Sequence, residues 1–374
     1  MAGSSSIKGS GIQRSFKGHL GRLTPEQEKA FVTFKANLEK AGLYTPPTEA
    51  TKASHDDATL LRFLRARRFD PAKAQKQFSD RIAWEKKHDV HNLFANFPAD
   101  EFESSRRYYP RWTGRRDREG LPLYVYKLSA LSNSIQEEIT SVPPQRRYER
   151  IVVLYEVMIR FVSPLCTYLP HSIEPTPIAA VTTIIDLAGV SARQMWSLRS
   201  HLQEASELAN ANYPETLGTV VVVNAPGFFS TVWGWIKGWF DENTREKIHV
   251  LGSLAGAESA SSKELTSIIS PSNIPRAYGG ELDWDFFDEP SLDDEARQVI
   301  GHLPKGPWIF EDGNVKRPKE YAGSEVQHNA AESAPLTPST TIASDSEQPV
   351  VNGNMKHETV PVESTVPNGT VPTI

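Results

Sequence analysis

The 374-residue chain has a single cysteine, Cys166, which rules out an internal disulfide and fits a reducing compartment. It has no apolar run near the ~18 residues that span a bilayer. Its N-terminus has no signal-peptide apolar core, and Ala2 stands where N-myristoylation needs a glycine. Positive charge is not in excess. Lys and Arg number 41 against 46 Asp and Glu, giving a formal charge of −5, so no global pull toward nucleic acid exists and any anion site must be local. Nucleophile elbows, phosphate-cradling Gly-rich loops, HExxH and CxxC are missing, and the ten histidines are scattered. The expectation is a cytoplasmic, non-enzymatic protein with no metal and no cofactor, whose membrane contacts are peripheral. Asp186 at a strand end is the best lone catalytic candidate, although capping the next turn explains it more simply.

What the chain does have is concentrated between Tyr213 and Ser253. Val220 to Val223 read as a strand buried on both faces. Asn224-Ala225-Pro226-Gly227 breaks it, and FFSTVWGWIKGWF follows. At 100° per residue, Phe228, Phe229, Val232, Trp233, Trp235, Ile236, Trp239 and Phe240 share one arc of roughly 160°. A core-facing helix is the plain explanation. Three Trp and three Phe beside Gly234 and Gly238, each glycine costing ~1 kcal/mol in a helix interior, argue for a mobile lid over an apolar cavity or a membrane-touching surface. Just after it, Thr244 and Lys247 stand at i and i+3, a hydroxyl and an ammonium suited to a phosphodiester.

Elsewhere the pattern is ordinary. Residues 1–22 are Ser/Gly-rich and basic and read as disordered. Thr24-Pro25-Glu26-Gln27 opens a helix, Asp56 or Asp57 caps the next, and Asp70-Pro71 starts a third. Together they predict a helical module over residues 23–95. In it Arg62, Arg65, Arg67 and Arg68 form either a solvated face or an anion site. Residues 108–128 read as a hairpin. Strand and helix patterns then alternate from Val181 to Ile269, predicting βαβ crossovers and a mainly parallel sheet over 96–314. Residues 315–374 read as a disordered tail.

Taken together, LLRFLRARRFD, DREGLPLY, IIDLAGVS, NYPETLG with VVNAPGFF, and NIPRAYGGEL resemble the CRAL-TRIO lipid-binding proteins, the fungal phosphatidylinositol/phosphatidylcholine transfer group above all. The resemblance spans residues 23–308. It implies a helical N-terminal module on an α/β lipid-binding domain whose sheet floors an apolar pocket, with the aromatic helix as its gate. It implies a phosphatidylinositol headgroup site at Arg67, Glu215, Thr244 and Lys247, and a second-lipid pocket at Tyr124, Tyr155 and Thr183. Where the choline-lipid binders carry Arg after YPE, this chain has Thr216, and Val181 and Thr113 replace a serine and a tyrosine. Each charge-assisted bond is worth ~1.5–3 kcal/mol, which weighs against phosphatidylcholine and toward a less polar, sterol-like lipid. The implied role is lipid exchange between membranes, or presentation to a phosphoinositide kinase, by a monomer transiently on Golgi, endosomal or ER surfaces. A carrier of another hydrophobic ligand is the first alternative, a lipid-modifying α/β enzyme the second.

Overall fold

The computed structural model describes residues 12, 14–239, 242–252, 254 and 259–318, with side chains for all of these but Trp235, Trp239 and Asn243. Phe240, residues 1–11 and residues 319–374, which include nearly all of the expected tail, lie outside the described residues.

Capping chemistry sets the N-terminal helices. Thr24 accepts from the Gln27 amide while the Gln27 side chain accepts from the Thr24 amide, opening Pro25–Lys40. Asp56 caps Asp57–Ala66 and Asp70 caps Pro71–Lys87. Phe31, Phe34, Leu38, Leu60, Leu61, Leu64 and Phe78 close a core of their own between these helices. At ~1.5–3 kcal/mol for each large apolar side chain fully buried, that core holds the module together. Arg62 is not solvated as a charge run suggests: it is only 5% exposed, because its position falls on the buried side of its helix.

The main sheet has five strands: β1 (Arg111–Arg116), β2 (Pro122–Lys127), β3 (Val181–Asp186), β4 (Leu217–Val223) and β5 (Ile248–Val250), in that spatial order. β1 runs antiparallel to β2, and the others are parallel. Strand alternation sorts the residues into two faces. Tyr124, Tyr126, Val181, Thr183, Ile185, Val220 and Val222 border a cavity. Leu123, Val125, Thr182, Ile184, Val221 and Val223 point the other way and are fully buried. Burial on both faces is why the strands read as continuous apolar runs. One cavity wall is the helix Pro144–Val157, prolonged by a π turn (Met158–Val162) and a last helical stretch, Ser163–Tyr168.

That helix carries Glu156, fully buried at its centre. Its carboxylate accepts from Arg81 at 2.9 Å, Arg160 at 2.6 Å and the Tyr213 hydroxyl at 2.7 Å. Arg81 also pairs with Glu85 at 2.7 Å and lies over the rings of Trp84 and Tyr213. Three separate chain segments therefore meet at one carboxylate.

Two expected disordered stretches are partly built into the fold. Arg14 reaches Asp117 at 2.5 Å, behind the sheet, where Asp117 also accepts from Thr182. Arg22 donates to the Thr176 hydroxyl, which itself donates to the Leu20 carbonyl. Ser/Gly-rich composition signals weak local preference, and a few long-range ion pairs and hydrogen bonds settle residues 14–22 all the same. At the other end, β6 (Ile309–Glu311) pairs with β7 (Asn314–Lys316), and Val315 packs on the core beneath. The tail therefore starts later than residue 315. Truncation before Val315 should lower the urea midpoint, since it removes half of this ribbon. Truncation after Pro318 keeps the ribbon, and equal midpoints for the two would show that β7 contributes nothing.

Candidate functional site

The cavity on the sheet's inner face has a volume of about 600 Å³, within the range of small-molecule sites. Its walls are apolar: Ile151, Leu154, Met158, Phe161 and Val162 from the long helix, Met195, Leu202, Ala205 and Ala209 from the helix Ala192–Asn212. Phe229, Trp233 and Ile236 face it from the aromatic segment.

That segment is a shorter helix than its aromatic arc suggests. It is α-helical over Phe229–Ile236 and tightens to a 3₁₀ turn over Lys237–Trp239, so the 100° period ends at Ile236. Phe229 and Val232 are buried, and Phe228, Trp233 and Ile236 are packed against the core. Trp235 and Trp239 have no described side chain, and Phe240 lies outside the described residues. A Cβ on Gly234 would meet no atom within 4 Å. Gly234→Ala should therefore raise stability by about 1 kcal/mol and stiffen the segment expected to act as a gate, slowing lipid exchange between vesicles with little change in equilibrium binding. Unchanged exchange in a more stable protein would place the moving element elsewhere.

The rim of the cavity is charged. Glu215 stands between β4 and the preceding helix, with φ +59°, a left-handed conformation rarely taken by a side-chain-bearing residue. Its carboxylate accepts from Arg65 at 2.7 Å and from Lys247 at 3.0 Å. Burial alone would raise its pKa, but Arg65 and Lys247 hold it below the usual carboxylate range. Burial also lowers Arg65 despite Glu215, so desolvation offsets part of the attraction, as expected of a pair drawn out of water. Thr244 lies in the five-residue helix Glu242–Glu246 and Lys247 directly follows it, its amide donating to the Thr244 carbonyl. Both border the cavity. Arg67 does too, but it is exposed, and it donates to the Ala66 carbonyl. Of the four expected headgroup residues, the structure joins Glu215 to Lys247 directly, keeps Thr244 beside them, and leaves Arg67 at the rim.

Sequence reasoning missed two neighbours. Arg65, grouped there with arginines of either a solvated face or an anion site, is the residue that pairs with Glu215. His19, from the N-terminal segment, lies close enough for Arg65 to act on it; burial first and Arg65 second push its pKa down to about 4, so it is neutral. Helical phase separates Arg65 from Arg67: the helix ends at Ala66, with Arg67 its C-cap. That boundary was the one available signal.

Deeper in, Tyr124 and Thr183 are cross-strand partners on β2 and β3. Tyr155 stacks on Tyr213 with ring centroids 4.6 Å apart. Among the described residues, none of the Tyr124, Tyr155 and Thr183 side chains makes a hydrogen bond, so their hydroxyls are available to a guest. Burial pushes the Tyr155 phenol up to about 12 and that of Tyr124 higher still, which keeps both protonated. Thr216 donates to the Tyr213 carbonyl, and Val181 presents only carbon. Thr113 is turned away from the cavity and donates to the Leu123 carbonyl.

A largely apolar chamber, open at a rim that carries ion pairs, is built to hold an amphipathic molecule. Residues 106–280 match the CRAL/TRIO domain and residues 30–80 the CRAL/TRIO N-terminal domain. The chain belongs to the CRAL/TRIO family, as the motif resemblance implied. It is 35% identical over 263 residues to the Sec14 cytosolic factor of Schizosaccharomyces pombe, covering 70% of this chain and 85% of that protein. It is 32% identical to the SEC14 cytosolic factor of Candida glabrata, covering 79% and 88%. It is 34% identical to the phosphatidylinositol/phosphatidylcholine transfer protein SFH9 of Arabidopsis thaliana, covering 78% of this chain and 50% of that protein. The crystal structure of Sfh5 superposes with a TM-score of 0.53 at 16% identity, over 80% of this chain and 96% of that one, which supports the fold.

Proposed function

We propose that this chain is a cytosolic, non-enzymatic carrier that binds phosphatidylinositol and exchanges it between membranes, or presents it to a lipid kinase on Golgi, endosomal or ER surfaces. The observation that carries this is the arrangement at the rim. Glu215, Lys247 and Thr244 offer a carboxylate for inositol hydroxyls, and an ammonium and a hydroxyl for phosphate, at the opening of a chamber sized for apolar chains. Arg67 completes the set from the solvent side. The names of the relatives above agree with it. Mass spectrometry of lipids co-purifying with the full chain, followed by transfer of labelled phosphatidylinositol between vesicles, tests it. A chain that carries no phosphatidylinositol and moves none would end the proposal.

The second ligand sits with Tyr124, Tyr155 and Thr183. Phosphatidylcholine is disfavoured there because Thr216 and Val181 supply no charge. Thr216→Arg should raise phosphatidylcholine transfer by several-fold, one charge-assisted bond being worth ~1.5–3 kcal/mol before the cost of burying the guanidinium. No gain would mean that the pocket differs by more than that cation. A carrier of another hydrophobic ligand is the alternative, favoured by one observation: Lys247 already has Glu215 as a structural partner.

A further inference from the structure

The cavity has a second polar end, away from the charged rim. Tyr109 and His201 meet there with ring centroids 5.3 Å apart. Tyr109 follows the turn before β1, and His201 lies on the helix Ala192–Asn212. Both border the cavity, and Tyr109 is only 5% exposed. Neither side chain makes a hydrogen bond among the described residues. The adjacent Tyr126, by contrast, donates to the Tyr108 carbonyl. A buried phenol and a half-buried imidazole that face an apolar chamber without partners are costly unless a guest or water satisfies them.

The place is separate from the rim. Lys247 directly precedes Ile248, which pairs with Val220 and so lies level with Thr183, and Glu215 lies two residues before Leu217, the partner of Val181, whereas Tyr126 is level with Ile185. Three residues of strand put the Lys247 and Tyr126 levels about 10 Å apart, and Glu215 lies further off. A headgroup held at Lys247 therefore does not reach Tyr109.

We infer that the Tyr109–His201 pair is a binding subsite for the uncharged hydroxyl or carbonyl of a neutral lipid, the second ligand that Tyr124, Tyr155 and Thr183 border in the same chamber. The two groups can donate and accept but carry no charge to meet a phosphate. Burial first, then Arg147, hold His201 at about 4, and burial raises the Tyr109 phenol, so both stay neutral near pH 7. The cations that act on the pair are engaged elsewhere: Arg147 donates to the carbonyls of Ile139, Thr140 and Val142, and Arg150 pairs with Glu101. The subsite deepens the carrier proposal by naming a ligand class, and it stands or falls separately from the phosphatidylinositol site.

The test loads the full chain from phosphatidylcholine vesicles doped in turn with cholesterol, a diacylglycerol or phosphatidylinositol, and measures extraction of each. The expected result is extraction of cholesterol or the diacylglycerol in preference to phosphatidylcholine, the two arms telling sterol from glyceride. Tyr109→Phe and His201→Phe remove the polar atoms at nearly constant shape. Each should lower the ratio of neutral-lipid to phosphatidylinositol uptake by about tenfold, the worth of one buried hydrogen bond. A ratio unchanged in both variants overturns the subsite, as does uptake of phosphatidylcholine in place of either neutral lipid by the unmodified chain. Should a variant not fold, the extraction preference of the unmodified chain decides. Neutral-lipid uptake without phosphatidylinositol uptake by the unmodified chain would count against the rim site and support this one, whereas a variant that loses phosphatidylinositol uptake alone overturns it.

Discussion

Lys247→Ala should lower phosphatidylinositol affinity tenfold to a hundredfold. The lost group is a charge-assisted partner for the phosphate, worth ~1.5–3 kcal/mol. Its removal does not strand Glu215, which keeps Arg65 at 2.7 Å, so the fold should survive. The double variant Thr244→Ala, Lys247→Ala should lose phosphatidylinositol transfer and keep uptake of any lipid held deeper. Vesicle transfer with two labelled lipids measures both at once. A parallel fall in both would mean that the pair acts through gating or stability. No fall in either would hand the site to the alternative carrier reading.

The largest stability effect should come from Arg81→Ala, at about 3–5 kcal/mol in urea denaturation, the usual cost of stripping one member from a buried ion pair. The change leaves Glu85 without its cation, weakens the hold on fully buried Glu156 and removes the packing over Trp84 and Tyr213. Arg107→Ala, which breaks a half-exposed pair with Glu138, is the control and should cost under about 1 kcal/mol. Near-equal losses would show that burial of the network does not matter. The same network sets an acid limit. Burial would raise Glu156, but Arg160 and Arg81 hold it down to about 2 against 4.5 for a free side chain. Its stabilising contribution is therefore complete above pH 4.5 and is lost as the pH falls toward 2. Burial shifts Glu85 upward, which opposes this trend, and the larger displacement of Glu156 dominates. The midpoint should fall over that acid range in the native chain and much less in Glu156→Gln.

Local chemistry was the legible part of this sequence. The Thr24 capping box and the Asp70-Pro71 start were readable because each signal lies within four residues. The parallel sheet followed from alternating strand and helix patterns. The motif resemblance brought the rim residues together, and among the described residues Glu215 bonds the Lys247 side chain while the Lys247 amide bonds the Thr244 carbonyl. What stayed hidden depends on contacts between distant segments. Arg81, Glu156 and Tyr213 are far apart in the chain, and nothing local marks any of them as one member of a buried cluster. Arg14 looked like one more charge in a basic tail until Asp117 was opposite it. Tyr109 and His201 belong to no motif, and only the cavity makes conspicuous that, among the described residues, their polar atoms have no hydrogen bond.

Glu215 also bears on how this protein could be improved in the laboratory. At φ +59° its backbone would be eased by glycine or asparagine, by an amount on the order of 1 kcal/mol. Either change would leave Arg65, already drawn out of water, facing Lys247 with no carboxylate between them, and stripping one member from a buried ion pair costs about 3–5 kcal/mol. The larger effect wins, so a library of variants screened for heat resistance alone should keep the glutamate at position 215, although the screen ignores cargo.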